Sequence, residues 1–127
     1  MNIAVIFAGG SGLRMHTKSR PKQFLELNGK PIIIYTLELF DNHPEIDGIV
    51  VACIESWIPF LEKMIRKFEI SKVVKIVPGG NSGQDSIYHG LCAAEEFAGG
   101  RDANVLIHDG VRPLITEETI TDNIRKV

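Results

Sequence analysis

Four runs of apolar residues divide the chain into units of similar length. The runs lie near residues 2–8, 48–54, 73–77 and 103–108, and each is almost continuously apolar rather than alternating with polar positions. A continuous run is typical of a parallel strand whose two faces are both covered by helices. The pattern therefore predicts four strands of one parallel sheet.

Between these runs, apolar residues recur at the spacing of an amphipathic helix. Helices are predicted over residues 31–41, 56–68, 85–97 and from 116 to the last residue, with a short strand or turn over 24–27. In the third helix, Ile87, Leu91 and Ala94 fall on one face. Strand–helix repeats of this length indicate an α/β protein with three layers (α/β/α), a mainly parallel sheet and right-handed crossovers.

Composition places the chain among ordinary globular domains. Its 127 residues can bury one core, and its 44% hydrophobic and 24% charged content is close to the average for such domains. The net charge of −2 argues against a nucleic-acid-binding protein, which needs a basic excess. No apolar run approaches 18 residues, so no membrane span is predicted.

The cysteines and the chain ends add expectations about context. Cys53 and Cys92 have no C-x-x-C spacing and are predicted to be buried free thiols. The chain begins with the first strand and not with a cationic, apolar leader, so we expect a cytoplasmic protein. The last helix reaches Val127 without a glycine, asparagine or proline to end it, which predicts a truncated chain.

The first strand runs into a glycine-rich loop that carries the strongest functional signal. The loop reads Ala8-Gly9-Gly10-Ser11-Gly12, and the cations Arg14 and Lys22 follow it. Glycines let backbone N–H groups approach phosphate oxygens, and the two cations can neutralise a triphosphate. The spacing fits neither a P-loop nor the dinucleotide-binding G-x-G-x-x-G motif, because Met15 takes the place of the third glycine.

Two further motifs follow the third and fourth predicted strands. One reads Gly79-Gly80-Asn81-Ser82-Gly83-Gln84-Asp85-Ser86, and the other reads His108-Asp109-Gly110-Val111-Arg112-Pro113. Ligands of open parallel sheets bind beyond the carboxyl ends of the strands, so all three motifs are expected at one edge. Asp85 or Ser86 could instead serve only as a helix cap, and this alternative stays open.

In this order, the three motifs resemble the CTP-dependent polyol-phosphate cytidylyltransferases. This family comprises 2-C-methyl-D-erythritol 4-phosphate cytidylyltransferase and ribitol-5-phosphate cytidylyltransferase. The resemblance implies a Rossmann-like nucleotidyltransferase fold, with residues 1–127 as the N-terminal, nucleotide-binding part of a single domain. It also implies a homodimer when full length, and transfer of a cytidylyl group from CTP to a polyol phosphate, giving a CDP-polyol and pyrophosphate.

The resemblance also implies a role for each matching residue. Arg14 and Lys22 would be catalytic. Asp109 would hold Mg²⁺ or face the acceptor, and Arg112 would lie near the acceptor or form a structural ion pair. The nucleotide would be bound by Ala8, Gly9, Gly10, Ser11, Gly12, Gly79, Gly80, Asn81 and Ser86. Lys18 and Arg20 fall between the matched positions and are interpreted as solvated surface cations.

Alternatives remain for the acceptor and for activity. The Ala8-Gly9-Gly10 sequence and the spacing from Arg14 to Lys22 favour the ribitol branch. Gly83 stands where relatives often have a basic residue, and Gly110 stands where many have alanine. A hexose-1-phosphate nucleotidyltransferase would share the first loop, and a CTP-binding fragment without turnover would share all three motifs.

Overall fold

The four apolar runs form one parallel sheet, as the sequence predicts. The computed structural model describes residues 1–8, 24–79, 83–110 and 117–125. Its strands are β1 (Asn2–Ala8), β2 (Glu26–Leu27), β3 (Lys30–Pro31), β4 (Gly48–Cys53), β5 (Val73–Pro78) and β6 (Asn104–Asp109). Its α-helices are α1 (Ile32–Asp41), α2 (Ile58–Lys67), α3 (Gly83–Ala98) and α4 (Glu117–Arg125).

The strand order of the main sheet creates a crevice at its centre. The order is β5-β4-β1-β6, and all three pairings are parallel. The chain builds outward from β1 to β4 and β5, then crosses back to place β6 on the other side of β1. Such a reversal leaves a crevice at the carboxyl ends of the two strands that flank it, here β1 and β6, where open α/β sheets bind ligands.

Helices cover both faces of the sheet and complete the predicted three layers. Residues of α1, α2 and α4 share one apolar core with Ile6 and Val51 of the sheet. On the other face, Ala93, Ala94 and Ala98 of α3 share a smaller core with the strands. The prediction of a three-layer α/β/α protein with a parallel sheet is therefore confirmed.

The face of α3 that contacts the sheet differs from the predicted one. Ala94 is buried as expected, but Leu91 is 36% exposed, and the buried face is made of Ser86, Gly90, Ala93, Ala94 and Ala98. The small side chains let the helix approach the strands closely. An alanine Cβ built at Gly90 would lie 2.5 Å from Cγ1 of Val5. Close packing of small residues, rather than a leucine stripe, therefore joins α3 to β1.

Replacing Gly90 by alanine is expected to lower the free energy of unfolding by about 1–3 kcal/mol. Alanine favours a helix interior by up to about 1 kcal/mol, but the buried, β-branched Val5 has little freedom to move away. The matched control is Gly110→Ala, whose Cβ would lie 3.4 Å from atoms of Ile33 and Ile6. Urea denaturation should show the control to be no less stable than the parent, and equal stability of both variants would contradict the close packing.

The last helix is joined to the loop between α1 and β4 by a buried histidine. His43 is 1% exposed, and its Nδ1 accepts the Glu45 backbone N–H at 3.0 Å, so Nε2 carries the proton. Nε2 lies 2.7 Å from Oγ1 of Thr121, to which it donates. Together with the buried Ile120 and Ile124, this hydrogen bond holds α4 against the core. His43 is therefore structural.

The two cysteines differ in exposure. Cys53 is a buried free thiol, as predicted, whereas Cys92 is free but exposed on α3. The prediction of burial for Cys92 is wrong because this residue lies outside the small-residue face that contacts the sheet. Among the described residues, no helix combines the length and apolar character that crossing a membrane requires.

Candidate functional site

The strands of the main sheet end almost level with one another. Residues Ala8 and Cys53 are paired in register, and Cys53 is paired with Pro78. On the other side of β1, Asp109 pairs with Phe7, the residue before Ala8. The ends of β1 and β6 are therefore direct neighbours at the crevice. This register brings together the start of the glycine loop and the start of the third motif.

Asp109 and His108 point to opposite faces of the sheet. Successive side chains of a strand alternate between faces. His108 is on the α1 side, where its ring lies 5.6 Å from that of Phe40. Asp109 is therefore on the face that α3 covers, and it is partly exposed. His108 therefore packs within the core side of the sheet, and Asp109 lies at the carboxyl end of β6.

The peptide groups around Gly110 are held by two different elements. The Gly110 N–H donates to the carbonyl of Phe7 at 3.1 Å, which extends the β1–β6 pairing by one step. The Gly110 carbonyl accepts a hydrogen bond from Oγ1 of Thr36, also at 3.1 Å. Thr36 lies on α1 and is completely buried. Thr36 was not predicted from the sequence, although its position among the apolar residues of α1 was a signal.

The second motif reaches the same edge through β5 and α3. The Gly79 N–H donates to the Cys53 carbonyl at 2.7 Å, so Gly79 continues the row of strand ends. Ser86 lies in the second turn of α3, on the face packed against the sheet, and it is completely buried. An N-cap would precede the helix, so Ser86 is not the cap that the alternative interpretation allowed. Asp85 is in the first turn, where a carboxylate is favourable.

The polar side of α3 fixes how the helix meets β5. His89 contacts the Pro78 carbonyl through Nδ1 at 2.9 Å, and Lys75 pairs with Glu96 at 2.8 Å. The ammonium group of Lys75 lowers the pKa of the exposed Glu96 carboxyl through this hydrogen bond and its charge. These contacts tie the strand before the second motif to the helix after it.

Cys53 is not a reactive group of this edge. Its side chain is buried at the end of β4, and desolvation raises the pKa of its thiol to about 12. A thiol with that pKa is protonated at neutral pH and is a poor nucleophile or metal ligand. Within the described ranges, no group of three acidic, histidine or cysteine side chains could hold a metal ion by itself.

An aromatic cluster fixes the segment that enters α1. Phe24 is completely buried and stacks on Trp57, with ring centroids 5.0 Å apart and planes 13° apart. Phe60 packs edge-on against Phe24 at 5.6 Å. Trp57 ends a short 3₁₀ helix directly after β4, and Phe60 lies on α2. The sequence predicted only a short strand or turn over residues 24–27, and the anchoring role of Phe24 was not predicted.

A short hairpin continues this segment into α1. β2 and β3 pair antiparallel around Asn28 and Gly29, which both have positive φ (56° and 80°), as an Asn-Gly hairpin turn requires. The ammonium group of Lys30 pairs with Glu38 on α1 at 2.8 Å. The predicted strand or turn at residues 24–27 is therefore a hairpin fastened to α1.

The remaining predicted site residues lie outside the described part of the chain. Four predicted residues are within it: Ala8 at the end of β1, Gly79 after β5, Ser86 on α3 and Asp109 at the end of β6. Outside it lie Gly9, Gly10, Ser11, Gly12, Arg14, Lys22, Gly80, Asn81 and Arg112.

Comparison with known proteins finds relatives that match almost the whole chain. The family model described as 2-C-methyl-D-erythritol 4-phosphate cytidylyltransferase matches residues 2–127. A ribitol-5-phosphate cytidylyltransferase of Vibrio parahaemolyticus is 56% identical over 127 residues, which cover 100% of this chain and 53% of that protein. A 2-C-methyl-D-erythritol 4-phosphate cytidylyltransferase of Clostridium botulinum is 45% identical, over 99% of this chain and 53% of that protein.

Solved structures agree with the sequence relatives. The 4-diphosphocytidyl-2C-methyl-D-erythritol synthase of Anaerococcus prevotii superimposes with a TM-score of 0.76 at 28% identity, covering 98% of this chain and 49% of that one. A second synthase of the same description gives a TM-score of 0.78 at 25% identity. The chain thus spans about half the length of the relatives it matches. From its strand order, its three motifs and these matches, the chain belongs to the 2-C-methyl-D-erythritol 4-phosphate cytidylyltransferase family.

Proposed function

We propose that the protein containing this chain transfers a cytidylyl group from CTP to a polyol phosphate, and that the edge formed by β1 and β6 binds the nucleotide. The observation that carries the proposal is the register that pairs Asp109 with Phe7. It sets a carboxylate beside the strand from which the glycine-rich loop leaves. Membership in the cytidylyltransferase family supports the same reaction.

The reaction needs alignment and charge neutralisation more than proton transfer. A phosphate oxygen of the acceptor attacks the α-phosphorus of CTP, and the bond to the leaving pyrophosphate breaks. Because the attacking oxygen is already anionic, no general base is required. Preorganised cations stabilise the charge that builds up in the transition state. We assign this work to Arg14 and Lys22, and we assign Arg112 to the acceptor side.

Nucleotide recognition would come from backbone groups and one hydroxyl. We assign the triphosphate to residues 8–12, whose glycines allow close approach of N–H groups. We assign the cytosine to Gly79, Gly80, Asn81 and Ser86. The burial of Ser86 on the sheet-facing side of α3 supports this, since a buried hydroxyl presents its hydrogen bonds in fixed directions.

The donor set at this edge fits Mg²⁺. That ion prefers oxygen ligands and is commonly held by one or two carboxylates together with substrate phosphates and water. Asp109 supplies one carboxylate at the strand end, and no cluster of three ligands is found among the described residues. Asp109 would hold the ion, which when bound would polarise phosphate oxygens of CTP.

Two acceptors are the leading candidates. The 56% identity to a ribitol-5-phosphate cytidylyltransferase, against 45% for a 2-C-methyl-D-erythritol 4-phosphate cytidylyltransferase, favours ribitol 5-phosphate. The sequence of the first loop points the same way. The product would then be CDP-ribitol, with CDP-methylerythritol as the alternative.

Pyrophosphate release by the full-length gene product tests the proposal. Each of CTP, UTP, ATP and GTP would be combined with ribitol 5-phosphate, 2-C-methyl-D-erythritol 4-phosphate or glucose 1-phosphate in the presence of Mg²⁺. We expect release with CTP and a polyol phosphate, and kcat/KM at least about tenfold lower with UTP. Release only with the hexose phosphate would favour the other nucleotidyltransferase subclass.

Calorimetry with CTP covers the alternative of binding without turnover. If the protein binds CTP but releases no pyrophosphate with any combination of nucleotide and acceptor, it would be a nucleotide-binding protein and not a transferase. The homodimer and the cytoplasmic location stay predictions for the full-length protein. Light scattering and cell fractionation would test them.

A further inference from the structure

We propose that Thr36 is a positioning residue for the third motif, and that its hydroxyl holds the backbone that joins Asp109 to Arg112. This inference deepens the proposed function and rests on it. Thr36 is distant in sequence, since 74 residues separate it from Gly110. It belongs to none of the three motifs.

Gly110 is the point at which the third motif needs an external support. Glycine has more freedom in φ and ψ than any other residue, so it does not by itself define the direction of the chain after Asp109. The Phe7 carbonyl fixes the peptide that enters Gly110, through the 3.1 Å bond from its N–H. The Thr36 hydroxyl fixes the peptide that leaves Gly110, through the 3.1 Å bond to its carbonyl. The two bonds together restrict both dihedral angles of this glycine.

The surroundings explain why a hydroxyl is needed for this task. Gly110 is buried against the side chains of Ile33 and Ile6, which offer no hydrogen-bond donor. Thr36 itself is completely buried. A buried carbonyl that loses its donor must find another or pay the desolvation penalty. Without the Thr36 hydroxyl, rotation about ψ of Gly110 would let its carbonyl reach another hydrogen-bond donor or water.

Thr36 also links two parts of the site through α1. The hairpin that follows Phe24 is fastened to this helix by Lys30 and Glu38. The Ile32 N–H, in the first turn of α1, donates to the Leu25 carbonyl at 2.9 Å. One rigid helix is thus bonded to the segment that follows Lys22 in the sequence and to the turn after Asp109. α1 therefore connects the hairpin after Phe24 with the backbone at Gly110.

The test compares Thr36→Val, which keeps the shape but loses the donor, with Thr36→Ser, which keeps the donor. For Thr36→Val we expect kcat to fall about tenfold and the half-saturating Mg²⁺ concentration to rise by a similar factor, with KM for CTP within about twofold. Thr36→Ser should restore both values to within about twofold of the parent. Asp109→Asn provides the reference for complete loss of the carboxylate.

Two readouts do not depend on turnover. Binding of Mn²⁺ in the presence of CTP, followed by electron paramagnetic resonance, should weaken about tenfold in Thr36→Val. Amide hydrogen exchange in the peptide covering residues 109–112 should be faster in the same variant. A purely structural role would lower the unfolding midpoint while leaving kcat, Mn²⁺ affinity and local exchange unchanged at low temperature. That outcome would overturn the proposal, as would a Thr36→Ser variant as impaired as Thr36→Val.

A double variant tests the mechanism itself. Alanine at position 110 restricts the backbone and fits the space available there. Adding Gly110→Ala to Thr36→Val should recover at least about threefold of the lost kcat if glycine freedom causes the defect. No recovery would contradict that cause. If Thr36→Val fails to fold, the same comparison is made with Thr36→Ala. A parent enzyme that binds Mn²⁺ and CTP but releases no pyrophosphate would refute the proposed function without refuting the role of Thr36.

Discussion

Replacing Lys22 by alanine is expected to lower kcat for pyrophosphate release at least about a hundredfold, with a smaller change in KM for CTP. In cytidylyl transfer, negative charge concentrates on the α-phosphate as the acceptor attacks and pyrophosphate leaves. A fixed cation acts mainly on that transition state, so its loss lowers kcat. Steady-state kinetics on the full-length gene product measure the effect.

Lys18→Ala is the matched control for this variant. Lys18 lies in the same segment but between the positions that match the family motif. Removing its charge should leave kcat within about twofold, because we expect Lys18 to be solvated and not to contact the reacting phosphates. Circular dichroism and the unfolding midpoint of both variants should match the parent. Near-normal turnover of Lys22→Ala, or equal loss in the two variants, would remove Lys22 from the catalytic residues.

Replacing Phe24 by alanine is expected to lower the free energy of unfolding by about 3–5 kcal/mol. The side chain is completely buried, so the truncation loses apolar contact area and leaves a cavity. It also removes the stacking on Trp57 and the edge contact with Phe60, which add to simple burial. Chemical denaturation, followed by the fluorescence of Trp57, measures the loss.

Phe24→Leu separates cavity formation from the aromatic contacts. Leucine keeps most of the apolar volume. The free energy of unfolding should therefore fall by less than half as much in Phe24→Leu as in Phe24→Ala. Because Phe24 follows Lys22 by two residues, kcat should fall in the alanine variant under conditions where it is still folded. An alanine variant within 1 kcal/mol of the parent would show that the cluster does not anchor this segment.

The sequence predicted the elements well because their signals are local. The four strands lie within one residue of the predicted bounds, since apolar runs of this kind form wherever both faces of a sheet are covered. β5 shows the limit of that argument. Its run is largely apolar apart from Lys75, yet Val74 is 41% exposed because β5 is at the edge of the sheet. The order of strands depends on pairings between distant residues, which a local pattern does not contain.

Local signals also predicted where some of the candidate site residues lie in the fold. The sequence predicted that Asp109 and Gly79 lie at the same end of the sheet, because each is at or directly after the end of a strand and the strands are parallel. Their roles in binding stay predictions. Thr36 and Gly90 were missed because their roles depend on what lies opposite them. Thr36 acts on a carbonyl 74 residues away, and Gly90 makes room for a valine of β1. Long-range partners of this kind become visible only in three dimensions.

The pairing of β1 with β6 also has a consequence for biosynthesis. β1 can pair with β4 once about 50 residues have emerged from the ribosome. The other side of β1 stays unpaired until β6 has been made, because Asn2 pairs with Asn104, 102 residues further along the chain. Pairings over such distances form slowly, and an open strand edge invites association with other chains until it is closed. The crevice proposed to hold CTP can therefore form only after β6 has emerged. A nascent chain shorter than about 109 residues exposes the edge of its central strand, so we expect chaperones to act in that interval.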